Sequence, residues 1–277
     1  MRERFKMTIR QKPTYLTWLI VMAVLVLAVL LAPILPLHPN AVDVVHMSQG
    51  PSWQHWFGTD DLGRDYLARV VYGGRISLGV GFLAMLVSVI LGTTIGVMAG
   101  YFGGLADTAL MRLLDVFSSV PWLVLVVVLS AFLRPGLTTI IIVISAFSWM
   151  SIARLVRAET VTVKERDFVK YAQFVGMSPW YVMWHHILPM VTPIIVAAAG
   201  ANIANAIMTE SALSFLGMGV QAPAASWGSL LNAAQSRLQD APYMAIIPGL
   251  FIIMTVLAFY KLGNLLRDMT SPEDNHG

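Results

Sequence analysis

The chain has 277 residues, of which 57% are hydrophobic and only 12% are charged, and its formal net charge is +3. A soluble globular protein carries about 25% charged residues, so this composition excludes a water-soluble domain and indicates a polytopic membrane protein. The absence of cysteine excludes disulfides, thiol catalysis and cysteine-ligated metals. The basic residues divide between the two sides of the predicted membrane and form no continuous basic face, which argues against a nucleic-acid partner.

Six apolar runs are long enough to cross the hydrocarbon core of a membrane, which takes about 20 helical residues. The first, Tyr15–Leu35, is longer than the apolar region of a signal peptide and has no small-residue cleavage site, so we expect it to remain as a span. The other five are predicted at Ile76–Tyr101, Leu113–Leu133, Thr138–Leu155, Ile187–Met208 and Met244–Leu266. With both termini inside, thirteen basic residues face the cytoplasm and five lie outside, as the positive-inside rule requires.

The segment between the first two spans has an amphipathic pattern on the predicted outer side. Thr59 or Asp60 can cap a helix there, and Asp65 and Arg69 form an i,i+4 pair on its polar face. We favour a helix that lies at the outer membrane surface, with the histidines of this segment solvated in loops. The alternative is a docking site for an extracellular partner, formed by Asp60, Asp61, Arg64 and Asp65.

The second and third predicted spans carry signals for packing and bending. Gly92, Gly96 and Gly100 recur at every fourth position. In lipid no hydrophobic drive brings helices together, so this pattern favours close backbone packing against a neighbouring helix. Pro121 is predicted to kink the third span.

A polar cytoplasmic stretch, residues 165–189, separates the fourth and fifth predicted spans. Its first half has apolar residues at helical spacing. Gly176 stands where the C-terminal glycine of a helix belongs, and Ser178 and Pro179 begin a second helix as N-cap and first-turn residue. We expect two short helices at a bend, forming a knob that docks into another protein.

The fifth predicted span is rich in small residues but carries two asparagines and a glutamate. Asn202 and Asn205 lie one turn apart and are expected to share a face; either they hydrogen-bond neighbouring helices, which we favour, or they line a polar path. An ionised Glu210 must face a water-filled cavity or a cation, so we expect it near the outer gate of a pathway. The next segment is broken by glycines and a proline, which predicts a partly re-entrant lid with a short helix capped by Ser226.

Motifs for catalysis are missing from the chain. It has no GxxxxGK[ST] phosphate loop, so we expect that it does not hydrolyse ATP by itself. It also lacks HExxH and GxSxG, and the adjacent His185 and His186 cannot point to one face. We therefore expect neither an enzyme nor a metal site.

Four stretches resemble permease subunits of binding-protein-dependent ABC importers, in particular the peptide/nickel group. In family order they are FGTDDLGRDYLARVVYGGRISLGVG, GYFGGLADTALMRLLDVFSSVPWL, SWMSIARLVRAETVTVKERDFV and TESALSFLGMGVQAPAASWGSLL. The cytoplasmic stretch resembles the EAA loop of that family. Its pattern E-A-A-x-x-x-G falls on Lys170, Tyr171, Ala172 and Gly176, so Lys and Tyr replace the Glu and the first Ala. The end of the family's loop falls on Ile187, Leu188 and Pro189.

The resemblance implies an all-α integral membrane protein with six transmembrane helices, the type I ABC importer permease fold and cytoplasmic coupling helices. It divides the chain into residues 1–74, with the N-terminal tail, first span and outer segment, a permease domain at 75–266 and a cytoplasmic tail at 267–277. Phe168–Met177 and the Ser178–Trp184 turn are then the contact with an ATPase subunit.

The resemblance also implies the partners. A homologous second permease subunit pairs with this chain, two cytoplasmic ATPase subunits bind the loops, and an extracellular binding protein delivers the solute. ATP and Mg bind to partner subunits, and this chain binds no cofactor. The location is a bacterial inner or plasma membrane, with several spans and both termini cytoplasmic. Peptides are the favoured solute, with nickel or a metal chelate as the alternative. A secondary transporter is a remote alternative, since the chain lacks an inverted repeat and an intramembrane ion relay.

Overall fold

The computed structural model describes residues 12–133 and 136–270. All regular secondary structure in these two ranges is helical, apart from an isolated β-bridge between Thr59 and Asp65. In chain order the α-helices are α1 (Thr14–Leu31), α2 (Tyr66–Phe102), α3 (Gly104–Ser118), α4 (Trp122–Phe132), α5 (Leu137–Lys164), α6 (Asp167–Phe174), α7 (Pro179–Val182), α8 (Leu188–Phe215), α9 (Trp227–Ala234) and α10 (Tyr243–Thr270), with a π turn at Met183–Ile187 and 3-10 turns at Val44–His46 and Gln235–Arg237.

Five helical segments are long and apolar enough to cross a membrane, and they confirm five of the predicted spans. They are Thr14–Leu31, Tyr66–Phe102, Leu137–Lys164, Pro179–Phe215 and Tyr243–Met269. The third predicted span is instead divided between α3 and α4. The backbone at Pro121 is extended, with ψ at 122°, and proline has no N–H to continue a helix. The predicted kink is therefore a break.

The first turns of α2 lie inside the protein, which makes the prediction of a surface amphipathic helix wrong. The N-cap is Asp65, whose carboxylate accepts a hydrogen bond from the Ala68 N–H at 2.8 Å. The residues predicted for that position, Thr59 or Asp60, do not cap the helix. Tyr66 is fully buried, and its hydroxyl donates to the Met244 carbonyl of α10 at 2.6 Å. This site suits a tyrosine, because it offers an apolar environment for the ring and a hydrogen-bond acceptor for the hydroxyl group. The start of α2 therefore packs against another helix and does not lie on the membrane surface.

The charged residues before α2 form an internal network. The Asp60 carboxylate accepts a hydrogen bond from Arg64 Nε at 2.6 Å and lies 3.3 Å from Arg69 Nε. Burial of an ion pair requires such multiple partners, and here they hold the preceding loop against α2. Of the four residues considered for docking, Asp61 has the most exposed side chain, at 49%, and Asp60 the least, at 3%.

Two histidines of the same loop are paired with carboxylates and are not simply solvated. His46 Nδ1 lies 2.7 Å from Asp43 Oδ2, and His55 Nδ1 lies 3.0 Å from Asp65 Oδ2. The hydrogen bond from His46 lowers the pKa of Asp43. Because Asp65 is the N-cap of α2, its pair with His55 ties this loop to the helix start.

Helices α2 and α5 pack closely along the three predicted glycines. A Cβ atom on Gly92 would lie 2.7 Å from Ile152 Cβ, and Cβ atoms on Gly96 and Gly100 would meet atoms of α5 at the same distance. Such contacts are too short for a real side chain, so only glycine permits this backbone approach. The glycine repeat therefore brings α2 and α5 together.

The N-terminal end of α1 and the C-terminal end of α10 lie side by side. Lys12 Nζ is 2.8 Å from Asp268 Oδ2, and the Tyr15 hydroxyl donates to the same oxygen at 2.9 Å. The nearby carboxylate raises the pKa of Lys12.

The division predicted between residues 74 and 75 falls inside α2. Residues 1–11 and 271–277 of the predicted tails lie outside the described residues.

Candidate coupling knob and gate residues

Residues 165–187 fold as the predicted bend, which we call the knob. Gly176 has a φ of +81°, a conformation that favours glycine. The Met177 N–H donates to the Ala172 carbonyl at 3.1 Å and the Gly176 N–H to the Gln173 carbonyl at 3.0 Å, which is the Schellman pattern that ends a helix. Ser178 then caps α7 by accepting a hydrogen bond from the Tyr181 N–H. The sequence prediction of this bend is confirmed.

The knob has a buried side and an exposed side. Val169 and Ala172 of α6 are buried in an apolar core that includes residues of α2, α5, α7 and α8. The knob also exposes large rings, and Phe174 is the most exposed of them, at 89%. The other exposed rings of the knob are Phe168, Tyr171, Trp180, Tyr181 and Trp184. The arrangement anchors the knob in the spans and leaves an aromatic surface open for a partner.

Lys170, at the position of the family's glutamate, is engaged within its own chain. Its Nζ atom lies 2.9 Å from Glu165 Oε2, and both side chains are exposed. The hydrogen bond from Lys170 lowers the pKa of Glu165. The pair spans the junction between α5 and α6.

The knob ends in a π turn at Met183–Ile187, which leads directly into α8 and which sequence reasoning missed. The Leu188 N–H donates to the Met183 carbonyl, five residues back, and the exposed Pro189 follows in the first turn of α8. His185 stacks on Tyr181 with ring centroids 4.2 Å apart. Such single π turns occur frequently at functional sites. The only sequence signal is the pair of prolines downstream, which cannot donate to preceding carbonyls.

The two asparagines of α8 lie one turn apart, as expected, but they differ in burial and in hydrogen-bond partners. Asn202 is buried, and its Oδ1 atom has no hydrogen-bond partner among the described residues. Asn205 accepts a hydrogen bond from the Tyr260 hydroxyl of α10 at 2.8 Å. Asn205 therefore links two helices, as the favoured interpretation predicts.

Glu210 lies in the interior, where serine hydroxyls surround it. Its side chain is fully buried, and none of the ion pairs found among the described residues includes it. Ser77 Oγ donates to Oε2 at 2.8 Å and Ser214 Oγ donates to Oε1 at 2.7 Å, with Ser211 Oγ 3.5 Å from Oε2. The expectation that this carboxyl group faces water or a cation is wrong, because hydroxyl donors satisfy it instead.

The segment Gly217–Ala234, which we call the cap, packs over Glu210. Ser226 is the N-cap of α9, as predicted, and Trp227 is fully buried with its indole N–H donating to the Val70 carbonyl at 2.9 Å. A Cβ atom on Gly228 would collide with the backbone of Ser211. The cap is therefore part of the fold and not a surface loop. Among the serines around Glu210, only Ser211 and Ser214 are close in sequence, so Ser77 could not be identified from spacing.

Comparisons with known proteins identify a family and relatives among transport-system permeases. Residues 92–273 match the family described as the inner membrane component of binding-protein-dependent transport systems. The glutathione transport system permease protein GsiD of Pectobacterium atrosepticum is 37% identical over 273 residues, covering 98% of this chain and 91% of that protein. The dipeptide transport system permease protein DppC of Alkalihalophilus pseudofirmus is 37% identical, covering 98% and 90% of the two chains.

Solved transporters share the fold at low sequence identity. The MetNI methionine ABC transporter in an inward-facing conformation matches with a TM-score of 0.60 and 18% identity, covering 73% of this chain and 97% of that chain. An amino acid ABC transporter crystallised with histidines matches with a TM-score of 0.53 and 20% identity, covering 69% and 89%. They confirm the predicted all-α, type I ABC importer permease fold. The chain therefore belongs to the family of inner membrane components of binding-protein-dependent transport systems.

Proposed function

We propose that this chain is the permease subunit of an ATP-driven importer of small peptides, and that ATPase subunits bind its knob. The observation that carries the proposal is the two-sided character of the knob. Its buried side is continuous with the core of α2, α5 and α8, while its other side exposes aromatic rings such as Phe174. Exposed clusters of aromatic residues are typical of protein interfaces.

The contacts of the knob give a route for a mechanical signal. Val169 packs in one core with Val97 of α2 and Ile152 of α5. Close-packed protein interiors have low compressibility, so a displaced knob moves these helices with it. Arg157 of α5 donates to Asp107 of α3 at 2.9 Å, and this ion pair adds α3 to the moving group. ATP binding on the partners then favours one of two arrangements of the spans.

The remaining partners follow from this role. A second, homologous permease subunit completes the pathway, an extracellular binding protein delivers the solute, and ATP and Mg bind to the ATPase subunits. Both termini lie in the cytoplasm on this proposal. The contact between Lys12 and Asp268 supports the same-side placement, because it joins the start of α1 to the end of α10. Asn202 of α8, whose buried Oδ1 atom has no hydrogen-bond partner among the described residues, is the residue that we assign to the region of the pathway.

The solute class rests on the relatives. The two named above are permeases of a glutathione transport system and of a dipeptide transport system, and each aligns over nearly the whole of this chain. We therefore assign small peptides to this chain.

The proposal is tested by purification of the chain in mild detergent, identification of the co-purifying proteins and assay of ATP hydrolysis with candidate peptides. A second permease, ATPase subunits and turnover stimulated by loaded binding protein are the expected result. Recovery of the chain alone, with peptide movement in liposomes without ATP, would instead identify a secondary carrier.

A matched pair of variants tests the knob itself. Phe174 on the knob is 89% exposed and Phe132 at the end of α4 is 83% exposed. Phe174→Ala is expected to weaken ATPase-subunit binding about tenfold or more, as loss of an interface anchor does, while Phe132→Ala leaves binding unchanged. Equal effects of the two substitutions would contradict the assignment of the knob.

A further inference from the structure

The hydroxyl groups around Glu210 have a defined direction. Ser77 Oγ accepts a hydrogen bond from the Trp227 N–H at 3.2 Å, and Ser214 Oγ accepts one from the Val220 N–H at 3.2 Å. A hydroxyl group has one proton to donate, and its oxygen can accept two hydrogen bonds. Each serine therefore accepts from the cap backbone with one lone pair and donates its own proton to Glu210.

The Trp227 N–H belongs to the first turn of α9, where backbone N–H groups have no partner within the helix and carry partial positive charge. Ser226, the N-cap of α9, uses its own Oγ to accept a hydrogen bond from the Ser229 N–H at 3.2 Å. Two backbone N–H groups of the cap, those of Val220 and Trp227, therefore reach one carboxyl group, each through a serine.

We propose that Glu210 is an ionised positioning residue that fastens the cap to α2 and α8. An ionised carboxylate only accepts hydrogen bonds and has room for about four, which matches the converging serine protons. A protonated acid would add a further donor to a site where the hydroxyl groups of Ser77, Ser211 and Ser214 already lie within 3.5 Å of the carboxyl group. Burial of an uncompensated charge is unfavourable, but hydrogen bonds to a charged acceptor are roughly twice as strong as neutral ones.

The position of Glu210 connects it to two separate points of the cap. The Val220 N–H lies near the start of the cap and the Trp227 N–H lies at the start of α9, and both depend on the same carboxylate through Ser214 and Ser77. Loss of the negative charge leaves these hydroxyl groups without a common acceptor. The cap is then released from α2 and α8 together, which single loss of either serine does not achieve.

The charge state is tested by infrared difference spectroscopy of the full chain in detergent, comparing wild type with Glu210→Gln. We expect the substitution to remove a carboxylate band. Asp240→Asn, which removes an exposed carboxylate just after the cap, supplies the reference spectrum. Loss of a protonated-acid carbonyl band in Glu210→Gln would overturn the proposal.

The fastening role is tested by labelling of single cysteines, since the chain has none of its own. Ala234 of α9 is fully buried, whereas its neighbour Ala233 is exposed. Glu210→Gln is expected to raise the maleimide labelling rate of Ala234→Cys about tenfold or more, through local opening, and to leave Ala233→Cys unchanged. An unchanged rate at Ala234→Cys would overturn the proposal.

A milder variant keeps the test decisive if Glu210→Gln does not accumulate in membranes. Ser77→Ala removes one of the hydroxyl donors and retains the carboxylate. It is expected to raise the labelling of Ala234→Cys by a smaller factor than the loss of Glu210 and to preserve the carboxylate band. Neither readout requires transport, so these results are independent of the proposed solute and partners.

Discussion

The knob and the cap both contain short helices and connect two spans, but they are held in place by different forces. The knob is anchored by apolar side chains such as Val169, and its rings are exposed. The cap buries its largest ring, Trp227, and its backbone reaches Glu210 through serines. Apolar stabilisation is spread over area, whereas a buried polar network depends on every member. The surface that the knob offers to a partner thus depends on exposed aromatic residues, whereas the attachment of the cap within the fold depends on buried polar residues.

The largest expected effect is on the cap side. Trp227→Ala removes a fully buried ring and its hydrogen bond to Val70, and we expect it to lower the free energy of unfolding by about 3–5 kcal/mol. Trp53→Ala, at a side chain that is 96% exposed, is the control and is expected to change it by less than about 0.5 kcal/mol. Thermal unfolding of the purified chain measures both, and similar losses would remove the distinction between buried and exposed rings.

An intermediate effect is expected at the bend of the knob. Gly176→Val forces a β-branched residue into a φ of +81°, which costs about 1–3 kcal/mol. We expect a modest loss of thermal stability and a large loss of ATPase activity stimulated by binding protein. Gly50 has a φ outside the left-handed region and open space around it, so Gly50→Val is the matched control. Full stimulated activity in Gly176→Val would show that the bend does not transmit the signal.

The smallest effect is expected at the exposed pair of Lys170 and Glu165. The lowered pKa of Glu165 means that the pair stabilises the fold above the ordinary pKa of glutamate, and that this contribution disappears as the pH falls through the lowered value. The difference in melting temperature between wild type and Glu165→Gln is therefore expected to be small at neutral pH and to vanish in acid. A difference that grows on acidification would contradict the role of this pair.

Features that depend on local chemistry were predictable from the sequence. The bend at Gly176 and the caps at Ser178 and Ser226 follow from the conformational preferences of a few adjacent residues, and the structure has them. The five apolar spans follow from composition over about 20 residues. These signals do not require knowledge of what lies next to them in space.

Features that depend on tertiary contacts were not predictable. Asp65 and Thr59 are both good N-caps, and the packing of Tyr66 against α10 decides between them. Ser77 is 133 residues away from Glu210 in sequence, so the spacing rules that apply within one helix cannot relate them. A carboxyl group in an apolar run signals that partners exist, but it does not identify them.

Helix α2 is one continuous helix that contacts both the cap and the knob, and this continuity connects the movements of the two regions. It contains no proline, and 37 residues at 1.5 Å each give a length of about 55 Å. Ser77 near one end holds the cap, and Val97 near the other packs against the knob. A stiff rod transmits displacement along its length without a hinge. We therefore expect a displacement of the knob along the axis of α2 to move the cap in the same direction.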